Sequence, residues 1–127
     1  MHYRTLKDRQ HTAIMGSSLG GIASVYIAAR HPQVFGMAGG MSSSFWWNEQ
    51  DMVRNPPRHL PVKFYIDAGR AMDGMDATEA FRKAMLKRGY KQGRDFYFHS
   101  DPGGSHNEQS WASRVHIPLA WFFPKRR

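Results

Sequence analysis

Thr12-Ala13-Ile14-Met15-Gly16-Ser17-Ser18-Leu19-Gly20-Gly21-Ile22-Ala23 is the stretch that decides how this chain folds. A short apolar run leads into a G-x-S-x-G pentapeptide, Gly16 to Gly20, and a helix-like stretch leads out of it. That context is what a nucleophile elbow needs. The chain turns sharply from strand to helix, the middle serine is forced into a strained backbone conformation, and Gly16 and Gly20 keep the crossing point free of side chains. Ser18 then projects its hydroxyl at the carboxyl end of a strand. Without these flanks the same pentapeptide would read as a flexible glycine-serine loop.

Further along, Asp101-Pro102-Gly103-Gly104-Ser105-His106-Asn107-Glu108 places a histidine after a run of small turn residues and before the apolar stretch Trp111 to Phe123. A serine hydroxyl is a poor nucleophile at neutral pH and needs an adjacent base, for which imidazole is the usual choice. His106 fits that role. Ser105 and Glu108 also match an S-x-x-E capping box, which would put His106 in the first turn of a helix. The two readings are compatible, since a helix N-terminus favours the neutral imidazole that a base must be.

A third group should orient the imidazole from a loop at the same sheet edge. Val62 to Gly69 reads as a strand bounded by Pro61 and Gly69, and the loop behind it, Arg70-Ala71-Met72-Asp73-Gly74-Met75-Asp76, offers Asp73 and Asp76. Asp73 is the expected acid. Asp76 suits the N-cap of a following helix whose one face carries Ala77, Ala80, Phe81, Ala84 and Met85. Asp67, inside the strand, reads as a structural hydrogen-bonder. The order Ser18, Asp73, His106 is that of the α/β-hydrolase fold and not of the chymotrypsin or subtilisin classes.

The run His2-Tyr3-Arg4-Thr5 to Arg9, the elbow with its extra Gly21, Met41-Ser42-Ser43-Ser44-Phe45-Trp46-Trp47, Tyr65-Ile66-Asp67-Ala68-Gly69 and Gly103-Gly104-Ser105-His106-Asn107-Glu108 with Trp111 together resemble the putative-esterase family. That family includes enterochelin esterases, feruloyl esterases, S-formylglutathione hydrolases and mycolyl transferases. The resemblance nominates Ser18 and His106 directly and implies that Trp46 or Trp47 lines the acyl or aryl pocket. The other reading of both tryptophans is as core aromatics. Close members carry an acid about where Met72 stands, with another following; this chain has only Asp73, which leaves either a shifted acid or a Ser-His pair. Members also lay down several strands before the elbow and take half of the oxyanion hole from an early loop. Here the elbow comes at residue 16. Residues 1–127 therefore read as a partial hydrolase domain, the carboxyl-terminal half, with Leu19 supplying one oxyanion donor and its partner missing.

Composition fits a soluble globular segment, with 41% hydrophobic and 13% aromatic residues. No apolar run approaches the roughly 20 residues that cross a bilayer, so no membrane partner is expected. No charged-then-apolar pattern reads from residue 1, and since the segment reads as lacking its amino-terminal half, with any address carried there, the compartment stays open. The chain has no cysteine, which excludes disulfides. His2, His11, His31, His59, His99 and His116 show no ligand spacing, and no metal or other cofactor is expected. The net charge of +8 is dispersed, with its densest run at Lys125-Arg126-Arg127, and no interleaved basic-aromatic motif accompanies it. That pattern excludes nucleic acid as the expected partner and suggests a solvated basic face, or steering of an anionic ester such as a ferric catecholate chelate.

The periodicity predicts strands at His11 to Met15, Val34 to Met41, Pro61 to Ala68 and Asp95 to Ser100. It predicts helices at Leu19 to Arg30, Ala77 to Arg88 and Glu108 to Phe122, the first with Leu19, Ile22, Ala23, Tyr26 and Ile27 on one face. Gly89 should stop the second helix, Glu79 and Lys83 should pair along it, and Pro118 should kink or interrupt the third. Alternating strand and helix give a parallel sheet whose carboxyl edge gathers Ser18, Asp73, His106, Trp46 and Trp47. The expected chemistry is ester hydrolysis through an acyl-enzyme on Ser18, on a small-molecule siderophore or aryl ester. The alternatives are acyl transfer and a non-catalytic fragment, and the bare edge of the elbow strand should promote self-association.

Overall fold

Four strands, β1 (Ala13–Ser17), β2 (Met37–Met41), β3 (Lys63–Gly69) and β4 (Phe96–Asp101), pair in parallel in the order β1-β2-β3-β4. Helices α1 (Leu19–Arg30), α2 (Trp47–Arg54) and α3 (Met75–Lys87) form the crossovers, and α4 (Glu108–Arg114) and α5 (His116–Phe122) follow the last strand. The computed structural model describes residues 3–125, so His2, Arg126 and Arg127 lie outside the described residues. This is the α/β architecture that the strand-helix alternation predicts.

Both faces of the sheet are covered, as a parallel sheet requires. Alternate residues of β3 go to opposite sides: Phe64 and Ile66 join Val25, Ala28, Phe81, Met85 and Phe96 on one face, and Tyr65 joins Met37, Met41 and Phe122 on the other. Phe45 stacks on Phe81 of α3 with centroids 4.1 Å apart. That contact anchors the segment between β2 and α2, and truncating either ring to alanine costs about 3–5 kcal/mol at a buried site.

Each strand begins later than its sequence pattern predicts. Arg9–His11 form a 3-10 turn, with the His11 ring held by the Asp8 carboxylate at 2.7 Å, so β1 starts at Ala13 and not His11. Val34 and Phe35 give their N–H groups to the His31 carbonyl, which delays β2 to Met37. Pro61 has no N–H to offer a ladder, and β3 starts at Lys63. α1 runs as predicted but is rotated: Gly21, Ile22, Ser24, Val25 and Ala28 are buried, while Leu19 and Tyr26 are exposed. A Cβ at Gly21 would collide with the Ser43 side chain, and that close contact sets which face meets the sheet.

α3 starts at Met75 with Gly74 in left-handed conformation (φ 70°) at its N-cap, so Asp76 lies inside the first turn and is not the cap. Gly89, at φ 102°, follows its end. Glu79 pairs with Arg82 at 2.9 Å and not with Lys83. The predicted last helix is two, broken at Val115, because Pro118 has no N–H for the Arg114 carbonyl four residues back.

Candidate active site

Ser18 stands between β1 and α1 with φ 57° and ψ −123°, a strained non-glycine backbone that costs about 1–3 kcal/mol and persists only where its surroundings enforce it. They do so here. The Ser18 N–H donates to the Met41 carbonyl at 3.0 Å, and the Ser44 N–H donates to the Ser18 carbonyl at 3.1 Å, tying the turn to the end of β2. A Cβ at Gly16 would overlap the Gly20 backbone, whereas one at Gly20 would meet nothing within 4 Å. The elbow thus needs glycine at 16 and 21 more than at 20. Leu19 opens α1, and its N–H has no intrahelical acceptor.

The loop after β3 turns Asp73 inward and Met72 outward. Met72 has φ 50° and is 100% exposed, while the Asp73 side chain is buried. The missing acid at 72 is therefore no loss to the site, since that side chain faces solvent. Asp73 Oδ2 accepts from Gly69 N–H and from Ser42 Oγ, both at 2.6 Å, leaving Oδ1 for His106 Nδ1 at 2.7 Å. His106 Nε2 lies 3.0 Å from Ser18 Oγ. Three residues from three different loops at the carboxyl edge thus form one hydrogen-bonded series.

His106 precedes α4 and is not in its first turn. Asn107 is the N-cap, accepting from Ser110 N–H at 2.8 Å, which displaces the Ser105–Glu108 capping box read from sequence. Ser105 Oγ instead meets Ser110 Oγ and Asn107 Nδ2. The Trp111 ring meets the His106 ring edge-on, with centroids 5.2 Å apart.

Beneath the series lies a buried polar cluster of which the sequence disclosed only Asp67. Arg114, 2% exposed, binds Asp67 with Nε and Nη2, each at 3.0 Å, and reaches Asp101 Oδ2 at 3.3 Å. Asp67 also accepts from Tyr65 Oη at 2.7 Å and Ser42 N–H at 3.0 Å, in keeping with its reading as a structural hydrogen-bonder. Burial opposes the Arg114 charge, but the hydrogen bonds to Asp67 and the fields of Asp67, Asp73 and Asp101 outweigh it and hold the guanidinium above its ordinary pKa. Burial, then the Asp67 charge, pushes Tyr65 well above the usual phenol range. A lone arginine in a short helix ordinarily reads as a solvated side chain, so nothing in the sequence announced it.

Trp46 and Trp47 are 58% and 51% exposed, and neither is a core residue. Trp47 lines a cleft of about 410 Å³ with Leu19, Ile22, Tyr26, Asp51 and Met52, beside the nucleophile elbow. Trp46 stands away from this cleft and approaches Gly74 in the Asp73 loop. The cleft's lining includes Asp51 and, among the described residues, no lysine or arginine. Arg9, Lys63 and Arg94 gather instead around a separate cleft of about 580 Å³ at the opposite, amino-terminal end of β2 and β3.

The chain has relatives among known proteins. A curated Bacillus subtilis (strain 168) protein described as "Uncharacterized protein YbbA" is 30% identical over 137 residues, covering 99% of this chain and 54% of that protein. Among solved structures, a ferulic acid esterase superposes with TM-score 0.79 at 25% identity, covering 94% of this chain and 53% of its own. S-formylglutathione hydrolase (FrmB) from Staphylococcus aureus superposes with TM-score 0.74 at 18% identity, covering 94% and 54%. Ferric enterobactin esterase from Salmonella typhimurium gives 0.76 at 19%, covering 92% and 31%. The chain spans about half the length of the curated relative it matches. These likenesses establish the α/β-hydrolase fold, and the family model described as "Putative esterase" matches residues 1–121, so the chain belongs to that family.

Proposed function

We propose that this chain carries the catalytic machinery of a serine esterase that hydrolyses carboxylic esters through an acyl-enzyme. The observation that supports this most is the series Ser18 Oγ, His106 Nε2, His106 Nδ1, Asp73 Oδ1, with separations of 3.0 Å and 2.7 Å. An ionised carboxylate only accepts, so Asp73 assigns the ring proton to Nδ1 and leaves the Nε2 lone pair toward Ser18. In the first step Ser18 Oγ bonds to the ester carbonyl carbon while its proton passes to His106 Nε2. Asp73 steadies the imidazolium, and the Leu19 N–H donates to the developing oxyanion. Collapse of the tetrahedral adduct breaks the ester C–O bond, and His106 returns the proton to the leaving alcohol. Water then repeats the sequence against the acyl-Ser18 ester, with His106 as base, and releases the acid.

Trp47 is the proposed substrate contact in the cleft beside Leu19, and Trp46 flanks the Asp73 side of the site. Their exposure and the absence of a cation from the described lining favour an aryl or other apolar acyl group over an anionic chelate. Fluorophosphonate labelling followed by peptide mapping tests the reading. The label is expected on Ser18 and absent from Ser18→Ala. Label on Ser17, or label retained in Ser18→Ala, would overturn the assignment.

A further inference from the structure

The Ser42 hydroxyl is saturated in a way that fixes the direction of each hydrogen bond it makes. Trp111 Nε1 lies 2.9 Å and Arg114 Nη2 2.7 Å from Ser42 Oγ, and an indole N–H and a guanidinium can only donate. Both lone pairs of the oxygen are taken. Its one proton is left for Asp73 Oδ2 at 2.6 Å. Since Gly69 N–H donates to that same oxygen, Oδ2 is fully engaged and Oδ1 is turned to His106.

Ser42 also acts as a spacer. Arg114 Nη2 is only 3.6 Å from Asp73 Oδ2, and the hydroxyl stands in hydrogen-bond contact with both. Without that hydroxyl, Asp73 Oδ2 would keep only the Gly69 donor. The carboxylate would then be free to swing into a direct ion pair with Arg114, drawing Oδ1 away from the imidazole. Trp111 and Arg114 sit three residues apart on α4 and therefore share a face of that helix. The same indole that donates to Ser42 meets the His106 ring edge-on. One helix thus braces the base on one side and the support of its acid on the other.

We propose that Trp111 and Arg114, acting through the Ser42 hydroxyl, are positioning residues that hold the Asp73 carboxylate in the orientation presenting Oδ1 to His106. The proposal rests on the assignment of Ser18 and His106 above; Trp111 packs against the His106 ring, and Ser42 and Arg114 reach the site through Asp73.

The test compares the full chain with Ser42→Ala, Trp111→Phe and Arg114→Lys by two readouts. One is the tautomer of His106 from proton-nitrogen correlation spectra of its ring nitrogens, which needs no substrate. The other is the rate of fluorophosphonate labelling at Ser18. The unsubstituted chain is expected to show a single Nδ1–H tautomer. Ser42→Ala is expected to show mixed tautomers and labelling slowed by about 10²-fold, the size of loss that a misplacement of about 1 Å produces. Trp111→Phe, which keeps an aromatic ring but loses the N–H together with part of the indole's bulk, and Arg114→Lys, which keeps the charge and loses the fork, should move both readouts in the same direction. A folded Ser42→Ala chain with one Nδ1–H tautomer and an unchanged labelling rate would overturn the proposal. Should Ser42→Ala fail to fold, Trp111→Phe decides on the same criteria. If Ser18 in the unsubstituted chain takes no label, the nucleophile assignment fails, and the tautomer comparison still answers the positioning question.

Discussion

Replacing Asp73 by asparagine tests the triad geometry through a single atom. The two donors at Asp73 Oδ2 cannot become acceptors: the Gly69 backbone N–H only donates, and the lone pairs of the Ser42 hydroxyl are held by Trp111 and Arg114. An asparagine at 73 must therefore put its carbonyl oxygen at the Oδ2 position and its NH2 group at the Oδ1 position. That NH2 then donates to His106 Nδ1, and the ring proton moves to Nε2, where it faces Ser18 in place of the lone pair. A base in the wrong tautomer costs about 10⁴-fold in kcat, or about 5.5 kcal/mol of transition-state stabilisation. Asp76→Asn serves as the control, since Asp76 lies in the first turn of α3 and contributes about 0.3–1 kcal/mol of helix-terminus electrostatics and nothing to the site. The assay is p-nitrophenyl acetate hydrolysis with Ser18→Ala as the blank, beside circular dichroism to verify folding. Folded Asp73→Asn with Ser18-dependent turnover within about tenfold of the unsubstituted chain, a barrier change under about 1.4 kcal/mol, would refute the argument and point to a Ser-His pair.

Three further outcomes follow from the fold. Gly16→Ala drives a Cβ into the Gly20 backbone and should destabilise by about 1–3 kcal/mol in urea unfolding, whereas Gly20→Ala meets open space and should gain up to about 1 kcal/mol; equal effects would contradict the elbow packing. Burial is the main cause that pushes the Tyr90 phenol up to about 12, so its contribution to stability is full below the unfolded pKa near 10 and is lost as pH rises toward 12. The urea midpoint should therefore fall across that alkaline window, and it should fall less in Tyr90→Phe; an identical fall in both would place the alkaline loss elsewhere. β1 is an edge strand of the described sheet, and an uncovered edge templates pairing, so sedimentation velocity should show self-association of the 127-residue chain; a monodisperse monomer would count against it.

Local physics wrote much of this molecule into its sequence. The strand-to-helix turn around Ser18 is legible because only a short list of residues tolerates such a crossing, and the Gly103-Gly104-Ser105-His106 run reads as a loop for similar reasons. Parallel pairing followed from the alternation of strand and helix. The strand starts were not legible, because Arg9–His11 and Val34–Phe35 form turns through hydrogen bonds that compete with the ladder. Nor was the face of α1, since the contact of Gly21 with Ser43 crosses from α1 to the segment after β2 and outweighs the helix's own periodicity. The sequence separates Asp73 from Asp76 by reading the latter as an N-cap, whereas the fold separates them through the left-handed Met72 and Gly74, which turn one carboxylate inward and leave the other in the first turn of α3. Arg114 lay furthest from view. Its charge is tolerable in the interior only because Asp67, Asp73 and Asp101 converge on it from β3, the loop behind it and the end of β4, and convergence of side chains distant in sequence exists only once the chain has folded.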